Sequence, residues 1–127
     1  MSKYVLDASA ILALLNSEAG KDRVEAVLTE SVISSVNYCE VLSKLRDVGM
    51  TDAESTASFD LLNVGVADFD ANLARIAAGL RPTTKPLGLS LGDRACLALA
   101  LDRKATVITA DSVWPRLKLG AKIELIR

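Results

Sequence analysis

Short apolar, β-branched runs alternate along this chain with longer stretches whose apolar positions recur at helical spacing. Lys3 to Leu6, Ser31 to Ser34, Asn63 to Ala67, Thr106 to Thr109 and Lys122 to Ile126 read as strands. Between them, Ala8 to Leu15, Lys21 to Leu28, Val36 to Val48, Ala53 to Leu62, Ala71 to Leu80 and Leu91 to Asp102 carry helix-compatible patterns. Thr51-Asp52-Ala53-Glu54 is a capping box, and Gly49 before it marks the end of the preceding helix. The segment Arg81 to Ser90 contains two prolines and a glycine, and the expectation there is an irregular loop. Strands regularly separated by helices predict an α/β fold, a mainly parallel five-stranded sheet covered by helices.

Two strand-like runs lead directly into acids: Tyr4-Val5-Leu6 into Asp7, and Thr106 to Thr109, through Ala110, into Asp111. The carboxyl ends of strands are where open parallel sheets place their sites. A helix from Leu91 to Asp102 would run about 18 Å and the next strand about 17 Å back, returning Asp93 and Asp111 to one edge. Glu40, in the second turn of the helix after the second strand, belongs at that edge too. Two carboxylates about 4 Å apart repel by roughly 4 kcal/mol in a surface-like dielectric, so four together call for bound cations, raised pKa values, or both. Hard oxygen ligands favour Mg²⁺ or Mn²⁺. Ser9 and Thr109, each two residues from one of these acids, are candidates to hydrogen-bond a carboxylate, a phosphate or water.

Each acid also has a plainer reading. Asp7 and Asp111 could cap the segments that follow them, Ser90 to Asp93 fits a capping box, and Glu40 could pair with Lys44 at i+4. Trp114 reads as core packing more readily than as a lid or base-stacking residue.

Composition narrows the chemistry. The 127 residues suit one domain, 1–127, with a core that needs no disulfide. There is no histidine, which removes imidazole acid-base catalysis, Ser-His-Asp triads and histidine zinc sites. Cys39 and Cys96 are far apart, with no metal-ligand spacing. Apolar runs are too short to span a bilayer and no signal-peptide core follows Met1, so the expectation is a cytoplasmic protein without a membrane partner. Residues 1–77 hold 6 Lys/Arg against 12 Asp/Glu, and residues 78–127 hold 9 against 4. Arg81, Lys85, Arg94, Arg103, Lys104, Arg116, Lys118 and Lys122 are candidates for a phosphate-binding patch, although solvated surface side chains account for such an excess more often.

Four segments carry a resemblance: Val5-Leu6-Asp7-Ala8-Ser9-Ala10, Asn37-Tyr38-Cys39-Glu40, Ser90-Leu91-Gly92-Asp93-Arg94-Ala95-Cys96-Leu97-Ala98-Leu99-Ala100, and Val107-Ile108-Thr109-Ala110-Asp111-Ser112-Val113-Trp114. In this order they resemble the motifs of PIN-domain ribonucleases, and the short single-domain form is similar to VapC toxins of toxin-antitoxin pairs. The resemblance implies a PIN-like three-layer α/β/α fold and a homodimer that cleaves RNA endonucleolytically with Mg²⁺ or Mn²⁺ and is inhibited by a VapB-type antitoxin. It assigns the catalytic and metal-binding quartet to Asp7, Glu40, Asp93 and Asp111, supporting hydroxyls to Ser9 and Thr109, and an RNA phosphate contact to Arg94. Two rivals stand beside it: a receiver-like Mg²⁺-binding signalling domain, with Asp68 after the third strand as phosphoacceptor, and a non-cleaving PIN-like module that binds RNA or an antitoxin peptide.

Overall fold

In the computed structural model, which describes residues 2–127, five short strands make one sheet: β1 (Tyr4–Leu6), β2 (Ser31–Ser34), β3 (Gly65–Ala67), β4 (Thr106–Thr109) and β5 (Lys122–Leu125). Their order is β3-β2-β1-β4-β5, and every neighbouring pair is parallel. Around the sheet lie α1 (Ala8–Leu15), α2 (Lys21–Val27), α3 (Ser35–Asp47), α4 (Asp52–Asp60), α5 (Ala71–Gly79), α6 (Arg81–Thr84) and α7 (Leu91–Arg103).

Strand alternation divides the core into two layers. Val5, Val32 and Val107 point to one face and pack with Leu73 of α5 and Leu97 and Leu99 of α7. Leu6, Ile33 and Ile108 point to the other, against Ile11 of α1, Val24 of α2, Val41 of α3 and Phe59 of α4. A strand apolar on both faces has to be covered on both, and the three α/β/α layers follow.

The all-parallel order fixes where a site can form. From β1 the chain winds outward through β2 to β3, then returns to β4 on the other side of β1. The crevice at the carboxyl ends of β1 and β4 is thus the switch point, where adjacent connections leave on opposite faces. A receiver-like domain has order 2-1-3-4-5, which this sheet excludes. Asp68 follows an edge strand instead and is exposed.

The expected loop over Arg81 to Ser90 is replaced by regular turns: the helical turn α6, then a 3-10 turn over Lys85–Leu87. Pro82 and Pro86 lie in the first positions of their turns, where a missing amide costs no internal hydrogen bond. Thr84 Oγ1 donates to Leu80 O at 2.8 Å, and Gly88 ends the run at φ +74°. Other boundaries differ by a residue or two from the sequence pattern.

The capping box before α4 forms as expected. Glu54 N donates to Thr51 Oγ1 at 3.1 Å and Thr51 N to Glu54 Oε1 at 2.8 Å. Thr51→Ala is expected to cost about 1 kcal/mol, read as a lower urea midpoint at unchanged m-value. An unmoved midpoint would show that the box contributes nothing to stability.

Candidate active site

Asp7 leaves β1 into the switch-point crevice and is only 5% exposed. Its backbone opens α1, but its side chain makes no capping bond, so the capping reading of this residue gives way. The carboxylate is held by two hydroxyls: Ser9 Oγ donates to Oδ2 at 2.6 Å, and Thr109 Oγ1 donates to the same oxygen at 2.9 Å. Those hydroxyls are oriented in turn. Ala110 N donates to Ser9 Oγ at 3.0 Å and Asp111 N to Thr109 Oγ1 at 3.0 Å. Each hydroxyl therefore accepts from the backbone after β4 and has its own proton available for Asp7, which pins the ends of β1 and β4 together.

The other acids reach the same edge. Asp93, in the first turn of α7, accepts from Ser90 N at 2.9 Å through Oδ2, while its own amide donates to Ser90 Oγ at 3.2 Å. Asp111 Oδ1 accepts from Val113 N at 2.9 Å and turns the chain after β4. Their capping readings hold. Both are half-buried, so a cap does not remove them from solvent. Glu40, also half-buried, accepts at Oε1 from Asn37 Nδ2 at 2.8 Å and makes no ion pair with Lys44.

Electrostatics tie three of the four together. Burial pushes the Asp7 carboxyl up from 3.8 to about 6; the Ser9 and Thr109 hydroxyls oppose this, and the negative charges of Asp93 and Glu40 add to it. Beneath them, burial and then the same three carboxylates hold the Cys96 thiol well above its ordinary range. Cys96 is therefore a neutral core thiol and no nucleophile. Among the described residues, none of the four acids has a Lys or Arg ion-pair partner.

Carboxylates and hydroxyls are the donors a hard divalent cation prefers, and Asp7, Glu40 and Asp93 are near enough to feel one another's charge. Among the described residues, no three of the carboxylates, thiols or other ligating groups stand close enough together to hold a metal ion. Each carboxylate accepts instead from a donor of its own. Mg²⁺ is commonly held by one or two carboxylates with the remaining positions filled by water, so the residues fit such an ion without a preformed cage.

Arg94 is half-buried, and its Nη1 donates to Ala77 O at 3.1 Å, which places the guanidinium in the contact between α7 and α5. Trp114 is fully buried in the layer with Leu97 and Val107, as core packing requires. The basic excess does not form one patch. Lys104 and Lys122 lie where β4 and β5 begin, at the pole opposite the acids, whereas Arg116 and Lys118 follow β4 on the acidic side.

Two residues given no role from the sequence stand against the acids. Asn37, fully buried, bonds both Glu40 and α7, and Gly92 leaves the space that the Glu40 carboxylate fills. Their signals were an amide one turn before an acid and a glycine inside a helix, where it costs about 1 kcal/mol relative to alanine.

Residues 4–119 match the PIN domain family. The chain belongs to that family. Its PIN domain is similar in fold to solved VapBC complexes. One is DNA-bound VapBC from Salmonella typhimurium, at 20% identity and TM-score 0.78 with both chains fully covered. VapBC2 from Rickettsia felis bound to a promoter DNA fragment is 17% identical with TM-score 0.75, covering 95% of this chain and 96% of that one. VapBC-5 from Mycobacterium tuberculosis is 24% identical with TM-score 0.61, covering 98% of each. No curated protein matches this PIN domain in sequence. Among its described residues, no helix is long and apolar enough to cross a membrane.

Proposed function

We propose that this PIN domain is a divalent-metal-dependent endoribonuclease and the toxin of a VapBC-type toxin-antitoxin pair. The observation that carries the reading is Asp7: a carboxylate at the switch point whose proton affinity is raised by burial and then by Asp93 and Glu40, with no basic side chain paired to it among the described residues. A site of this kind gains most from a cation. The family match and the fold shared with VapBC complexes support the biological setting.

When bound, Mg²⁺ or Mn²⁺ would supply activation of water and neutralisation of charge on the phosphodiester. Asp7, Glu40, Asp93 and Asp111 would hold it. Ser9 and Thr109 keep Asp7 in one orientation by donating to a single oxygen, which leaves Oδ1 for the cation. Asp93 can receive the attacking water's proton at Oδ1, because Oδ2 is occupied by the Ser90 amide. A VapB-type antitoxin as partner, a homodimer and a cytoplasmic setting complete the proposal.

Cleavage of mixed RNA by the purified chain, by Asp93→Asn and by Asp111→Asn tests it, each with Mg²⁺, with Mn²⁺ and with chelator. The expected result is metal-dependent cleavage by the native chain, stopped by chelator and reduced at least about a hundredfold in Asp93→Asn. Equal cleavage by all three proteins would overturn the reading.

A further inference from the structure

Among the described residues, one buried amide hydrogen-bonds the second acidic segment to the third. Asn37 Nδ2 donates to Glu40 Oε1 at 2.8 Å and to Gly92 O at 2.9 Å, which uses both of its protons. Asn37 stands one helical turn before Glu40 on α3, and Gly92 immediately precedes Asp93 on α7. A Cβ placed on Gly92 would come within 2.7 Å of Glu40 Cδ and Oε1, with Oε2 in closer contact still. The carboxyl group of Glu40 thus occupies the space that any other residue at position 92 would fill.

We propose that Asn37 and Gly92 are positioning residues for Glu40, forming a latch that fixes its carboxylate relative to Asp93. Neither need touch RNA or the cation. Asn37 restricts Glu40 by a hydrogen bond, and Gly92 does so by leaving beside α7 the room that the carboxylate occupies. The amide also supplies the only donor that Glu40 has among the described residues, so its loss frees the carboxylate to swing. The functional part of this inference rests on the metal-dependent nuclease reading; the latch itself does not.

Two measurements separate these layers. In metal-free protein, urea unfolding of Gly92→Ala, Glu40→Ala and the double variant reads the steric half. Gly92→Ala is expected to lower the midpoint in the native background and to leave it unchanged or higher when Glu40 is alanine, since alanine is the better helix former. An equal loss in both backgrounds would overturn the latch. The second measurement is Mn²⁺ uptake by electron paramagnetic resonance. Asn37→Ala, and the near-isosteric Asn37→Leu that keeps bulk but loses the donor, are expected to weaken Mn²⁺ binding about tenfold or more. Combining Asn37→Ala with Glu40→Ala should weaken it no further than Glu40→Ala alone. Undiminished affinity in folded Asn37→Ala, or additive losses, would overturn the positioning role. Failure of the native chain to take up Mn²⁺ would instead defeat the nuclease reading, while the unfolding cycle still decides whether Glu40 is latched.

Discussion

Asp7→Asn is expected to abolish RNA cleavage, by about a thousandfold or more, while making the metal-free protein more stable at neutral pH. Asparagine preserves the shape, and its carbonyl oxygen can accept from Ser9 and Thr109 as Oδ2 does now. It removes a charge that burial and two neighbouring carboxylates oppose. The sign follows from linkage. With the folded pKa raised from 3.8 to about 6, the folded state binds the proton more tightly than the unfolded chain. Its stabilising contribution is complete below the unfolded value and is lost as pH rises through the folded one. The difference corresponds to about 3 kcal/mol across that window. Urea unfolding of metal-free native protein should therefore show stability falling between about pH 4 and pH 6, with a flatter profile in Asp7→Asn. Parallel profiles for the two proteins would contradict the raised pKa, and retained cleavage by the variant would contradict the role of Asp7.

Trp114→Ala is expected to be the most destabilising single change, at about 3 to 5 kcal/mol. The indole is fully buried beside Leu97 and Val107, just past the turn made by Asp111. Its removal leaves a cavity that the rigid sheet cannot collapse to fill. Set against a total stability of roughly 5 to 15 kcal/mol for a domain, the loss is large enough to leave part of the population unfolded. Trp114→Phe should recover much of it, and urea midpoints of the two variants give the comparison. A native midpoint in Trp114→Ala together with weakened RNA binding would show that the ring contacts RNA instead.

Much of this molecule was legible before folding was considered. The five apolar runs became the five strands, because a segment buried on both faces has to be continuously apolar and β-branched whatever its neighbours. Thr51 with Glu54 and Ser90 with Asp93 announced the starts of α4 and α7, since capping is satisfied within four residues. The segment after α5 was not legible in this way, because a proline breaks a helix or opens one according to its position in the turn.

Acids following strands, with no histidine to share the work, were likewise a property of the sequence. The strand order β3-β2-β1-β4-β5 was not, because parallel pairing joins residues distant along the chain and leaves no local mark. From that order came the crevice between β1 and β4, the burial that raises the Asp7 pKa, and the pairing of Ser9 with Thr109 on one oxygen. Only tertiary packing brought Gly92 against Asn37 and Glu40, with a separation of 55 residues from Asn37 to Gly92. Residue types state which chemistry a chain can support; the distances and dielectric that select among those chemistries exist only once the layers have closed.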